Sequence, residues 1–104
     1  MTINVEDELF ALAKLVADDL GVTYEQMCSK YNRGRVSRAR QIFCLSAAES
    51  GLPKQAIAET VHMDGSYVTQ VEKRNYKLKR TAEYLHALGW IKGRLEVLKN
   101  AKTR

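Results

Sequence analysis

Breakers are scarce in this chain. Proline occurs once, at Pro53, and glycine six times in 104 residues, which leaves room for long helices. Cysteine occurs twice, at Cys28 and Cys44, with only His62 and His86 as further soft ligands. Two cysteines sixteen residues apart make neither a disulfide framework nor a metal cluster, so no metal is expected and both read as buried free thiols in a reducing compartment. No apolar run approaches the 18 or so residues of a membrane span. The N-terminus is acidic rather than basic-then-apolar, so no secretory signal is expected. No Gly-rich phosphate loop ending in Gly-Lys-Ser/Thr occurs, and no nucleophile stands near a base. These gaps argue against an enzyme, a cofactor or a small-molecule substrate. The expected location is the cytoplasm, in association with the nucleoid.

What is present is apolar residue enough for one small core (45%) and a net charge of +5. The isoelectric point near 9.4 favours an anionic partner. The charge is segregated. Residues 1–25 carry a net −5, 26–48 a net +5, 49–71 a net −2 and 72–104 a net +7. A coat serving solubility alone would mix the signs.

Leu9, Leu12, Ala13, Val16 and Leu20 recur at helical spacing and predict a first helix from Val5, with Asn4 as its cap and Gly21 closing it. Glu6, Asp7 and Glu8 suit its positive end. Thr23 and Gln26 form a capping box for a short helix to about Ser29, burying Met27 and Cys28. The stretch KYNRGRVSRAR, residues 30–40, then carries five cations and no acid. Its Asn-Gly region predicts a basic loop, in which Lys30, Arg33 and Arg35 are candidates for holding phosphates. Ser37 is expected to cap a helix to about Ser50, or the helix starts a residue or two earlier. Ile42, Phe43, Leu45 and Ala48 face its core. Arg38 and Arg40 would then lie in a first turn, where cations oppose the helix dipole. Phosphate is a reason for them to be there; plain solvent exposure is the alternative.

Pro53 predicts the first position of a helix over 53–61, with Ile57 and Val61 on one face. The turn His62-Met63-Asp64-Gly65 follows. A second helix, capped by Ser66 or Asp64, runs to about Arg74 and anchors through Val68 and Val71. This helix pair reads as a helix-turn-helix. Ser66, Tyr67, Thr69 and Gln70 are the candidate base-reading residues, and Lys54, Lys73 and Arg74 add phosphate contacts. Beyond it, Leu78, Ala82, Leu85, Leu88, Ile91, Leu95 and Leu98 keep a three-and-four spacing. Gly89 and Gly93 leave open one kinked helix or two, packed on the core or forming a dimer face.

Residues 9–74 resemble the C-terminal DNA-binding domain (domain IV) of the bacterial replication initiator DnaA. Ala39-Arg40-Gln41-Ile42 is similar to that family's Ala-Arg-Gln-Ile helix. Leu52-Pro53 with Ile57 is similar to its Leu-Pro helix, and Lys30 to Arg35 to its basic loop. Met63-Asp64-Gly65-Ser66-Tyr67-Val68 keeps only Asp64, Ser66 and Val68 of the Arg-Asp-His-Ser/Thr-Thr-Val signature. The resemblance implies an all-α helix-turn-helix bundle of the domain IV or Trp-repressor-like type over residues 1–75. Residues 76–104 are a helical extension beyond it. The departures from the signature imply a changed or relaxed sequence preference relative to the initiator's. The expected function is sequence-preferring binding of double-stranded DNA by a bacterial or phage transcription regulator. The alternative is a protein-interaction module or replication-associated accessory factor using its C-terminal helices.

Overall fold

Helix ends set the geometry of this chain. The computed structural model describes residues 5–30 and 34–102. Six α-helices occur, and there is no strand among the described residues: α1 (Val5–Asp19), α2 (Tyr24–Met27), α3 (Gly34–Glu49), α4 (Lys54–Thr60), α5 (Tyr67–Arg74) and α6 (Ala82–Lys102). A 3-10 turn, Tyr76–Arg80, links the last two. Asn4 and Arg33 lie outside the described residues.

Three helices stop in the same way. The Val22 amide donates to the Ala17 carbonyl (2.9 Å), Leu52 to Ala47 (3.2 Å) and Met63 to Ala58 (2.8 Å). In each case the preceding residue is left-handed: Gly21 at φ +75°, Gly51 at +90° and His62 at +58°. This closure satisfies carbonyls that the helix end leaves orphaned, and the next residue is apolar each time. At the start of α2 the Thr23–Gln26 capping box forms in both directions, at 3.0 and 2.9 Å.

The central element is α3, which packs against all the other helices. It begins at Gly34, three residues before the expected start, because Val36 already packs on the core. Ser37 is therefore no cap. It is buried in the second turn and its hydroxyl accepts from Gln41 Nε2 at 3.1 Å. From Ala39 to Ala47 the only residue not fully buried is Gln41. Polar residues in this run are satisfied internally: Ser46 Oγ donates to the Ile42 carbonyl at 2.7 Å, a local bond that suits a buried hydroxyl. Burial pushes the Cys44 thiol up to about 12. Cys28 is only half-buried, and its thiol also titrates above the usual range because of burial.

Pro53 sits just before α4 rather than in its first turn. The C-terminal pattern resolves into one helix that passes through both Gly89 and Gly93. Thr81 caps it, accepting the Tyr84 amide at 3.2 Å. Ala87 and Ile91 join the main core, while Tyr84 joins Leu45 and Val71 in a smaller cluster. Arg94 donates to Glu8 at 2.8 Å and His86 faces Asp19 at 3.3 Å, so α6 runs antiparallel to α1. No helix among the described residues is long and apolar enough to cross a membrane.

Candidate nucleic-acid interface

The turn between α4 and α5 aims α5. With His62 left-handed and Met63 folded back onto Ala58, the Asp64 carbonyl accepts the Tyr67 amide at 2.9 Å. Gly65 lies against Gln55, where a Cβ would collide with the Gln55 amide oxygen. Val68 and Val71 are buried, as their spacing predicts. On the opposite side Ser66, Gln70 and Lys73 follow one another at helical spacing, all exposed, with Thr69 half-buried beside them. Gln70 Nε2 donates to Ser66 Oγ at 3.2 Å. Ser66 makes no capping bond; its hydroxyl remains on the outer face of the helix.

Four expected contact residues are placed differently. Tyr67 points inward: its hydroxyl is sealed from solvent without a hydrogen-bond partner of ordinary geometry. Burial raises its pKa, opposed by the nearby Arg40 guanidinium. It cannot reach a base edge, because α3 lies on that side of α5. Arg40 is 1% exposed. Its Nε donates to the Met27 carbonyl and a terminal nitrogen to the Ser29 carbonyl, both at 2.7 Å. It ties the end of α2 to α3 and is not a phosphate ligand. Arg38 stands in the second turn of α3 and forms a fork with Glu83, both bonds 2.9 Å. Lys54 Nζ is 2.8 Å from Glu72 Oε1, clamping α4 to α5. Arg38 and Lys54 reach the surface with their charge already matched.

Lys30, Arg35, Lys73 and Arg74 are exposed and form no ion pair among the described residues. Arg35 lays its guanidinium over Gly21. Sequence reasoning passed over a third group. Lys77 and Arg80, in the 3-10 turn after α5, are exposed and likewise form no ion pair among the described residues. Their signal was legible: KRNYKLKR, residues 73–80, holds five cations in eight residues with no acid, a denser run than the one at 30–40. Gln41 and Asn75 were also passed over. With Tyr67, Gln70, Val71 and Arg74 they line a cleft of about 220 Å³ between α3 and α5.

A second cleft of about 230 Å³, lined by Glu6, Phe10, Tyr24, Ala56, Glu59 and Thr60, lies on the acidic side. It holds no convergent acid–base pair, and the Tyr24 hydroxyl is occupied with the Thr60 carbonyl at 2.6 Å. Among the described residues no three side chains of metal-ligating type come together.

The fold and its surface define a class: an all-α bundle that presents a short polar, basic helix beside a basic turn. Comparison with family models, with curated proteins and with solved structures finds no match to this chain. The resemblance to domain IV is carried by the quoted residues alone.

Proposed function

We propose that this protein binds double-stranded DNA with sequence preference and acts as a bacterial or phage transcription regulator, with α4 and α5 as its helix-turn-helix. The observation that carries the reading is the division of α5 into two faces. Val68, Val71 and Tyr67 anchor it, while Ser66, Gln70 and Lys73 stand outward on a helix held by the His62 turn and the Lys54–Glu72 clamp. A short helix that offers hydroxyl, amide and ammonium groups matches the donors and acceptors of the major groove. Lys30, Arg35 and Arg74 would fix its register on phosphates. The resemblance to domain IV supports the same reading, and on it a difference in sequence preference would lie between Met63 and Gln70.

Selection of bound duplexes from a random pool tests the reading. Recovery of a defined sequence is expected, with Gln70→Ala flattening the preference more than it lowers affinity for scrambled DNA. If six or more phosphates are contacted, affinity falls by roughly three to five decades between 50 and 200 mM salt. Salt-insensitive or absent duplex binding overturns the reading.

One feature favours the second reading, a protein-interaction module or accessory replication factor. On α6, Leu85 (57%), Trp90 (39%) and Val97 (60%) are exposed. Duplex binding that survives Trp90→Ala unchanged counts against a partner being required for it.

A further inference from the structure

Among the described residues, four unmatched cations, Lys73, Arg74, Lys77 and Arg80, cluster at the end of α5 and in the turn after it, against Lys30 and Arg35 near the start of α3. Arg38, Lys54, Lys79 and Arg94 face Glu83, Glu72, Glu49 and Glu8. Lys77 and Arg80 face no carboxylate among the described residues. They sit on a 3-10 turn, where residues three apart eclipse each other, so the two charges stack on one row. Leu78 occupies another row and packs into both core clusters. The third row holds Tyr76, exposed, and Lys79, tied to Glu49 at 3.3 Å.

The turn is also held at both ends. The Asn75 amide donates to Val71 at 2.8 Å, Leu78 to Asn75 at 3.0 Å and Thr81 to Leu78 at 3.0 Å. The Thr81 hydroxyl donates to the same Leu78 carbonyl at 2.7 Å. Lys77 and Arg80 therefore project from a braced wing that continues directly from the proposed reading helix.

We propose that this wing is a second backbone-binding element: Lys77 and Arg80 contact two successive phosphates of the strand that borders the groove entered by α5, with the Tyr76 hydroxyl as an added donor. This inference rests on the reading of the chain as a duplex-DNA binder. Such contacts add affinity and fix orientation without reading bases, because phosphate is the same at every step. A rigid offset between α5 and the wing makes the two act together. The wing grips the duplex wherever it lands, and α5 discriminates.

The test compares the whole protein, Lys77→Ala/Arg80→Ala and the charge-matched control Lys14→Ala/Lys92→Ala. Each is titrated on selected and scrambled duplexes across a salt series. Loss of two phosphate contacts lowers the slope of log affinity against log salt by about 1.8. That drop is expected for the wing variant on both duplexes, with sequence preference kept, and not for the control. Equal slopes for wing variant and control overturn the proposal while leaving duplex binding intact. A loss confined to the selected duplex also overturns it, since it assigns base reading to the wing. A wild-type protein with no salt-dependent duplex binding removes the parent reading and the wing together. All four side chains are exposed, so unfolding midpoints should move little, Lys14 losing only its contact over the Phe10 ring; Lys77→Gln/Arg80→Gln repeats the test with a polar, uncharged side chain longer than alanine.

Discussion

Arg40 and Tyr67 changed roles between sequence and structure, and both changes have one cause. A basic run read along the sequence treats every arginine in it as solvent-facing. Arg40 lies 13 residues after Met27 and 11 after Ser29, and only the folded chain brings it under their carbonyls. No local pattern separates it from Arg38, two residues earlier. Removing the guanidinium strands two carbonyls, so Arg40→Ala is expected to lower unfolding free energy by about 2–4 kcal/mol. Chemical denaturation checks this, and the salt slope of DNA binding by the folded variant should be unchanged. Tyr67 was legible only as a polar residue on a short helix. Its hydroxyl is sealed from solvent beside the Arg40 guanidinium, so Tyr67→Phe should change stability by no more than about 1 kcal/mol and leave sequence preference unaltered. Tyr67→Ala should cost about 2–3 kcal/mol through the cavity it opens. A Tyr67→Phe variant with altered preference would return the hydroxyl to the interface.

At the scale of elements, α3 was legible in its existence, its end and its core residues Ile42, Phe43 and Leu45, but not in its start. The stripe of α1 and the Thr23–Gln26 box mark their own boundaries. In α3 almost every position from Ala39 to Ala47 is buried, so no periodicity marks a face, and the start fell three residues early. The turn between α4 and α5 falls at His62 to Gly65 as expected, and its left-handed residue is His62, not the glycine. Gly65 has no left-handed angle, and a Cβ there would meet only the exposed end of the Gln55 side chain. In α6, Gly89 and Gly93 read as interruptions, but capping by Thr81 and packing of Tyr84, Ala87 and Ile91 carry the helix through. Nothing lies within 4 Å of a Cβ added at either glycine. Gly89→Ala and Gly93→Ala should each raise stability by up to about 1 kcal/mol, read as a higher thermal midpoint. A fall on either substitution would mean that one of these positions is packed against something.

At the scale of the whole molecule, ion pairs tie together elements far apart in the chain. The Arg38 hydrogen bonds hold the Glu83 carboxyl below the usual carboxylate range and raise the Arg38 guanidinium. A carboxyl lowered on folding stabilises fully above its unfolded value, about 4.3. That contribution is lost as pH falls through its lower folded value. Glu83→Gln should therefore be less stable than wild type at neutral pH and equal to it in acid. The gap is small, about 0.5 kcal/mol, because the two side chains are 41% and 43% exposed, and it shrinks further in salt. Urea titrations at neutral and acid pH read it, and a gap that persists in acid assigns the loss to packing. The acidic outer surface of α1 has a further consequence. α1 packs on α2, α3 and α4, and the basic turn on α3, α5 and α6; a bundle whose acids and cations stand on different elements in this way would carry an electric dipole. In the field of a polyanion such a particle turns before it touches, with its cationic end leading. Encounter is then faster and less wasteful of wrong orientations than for an evenly charged bundle of equal net charge, and this head start fades as ionic strength rises.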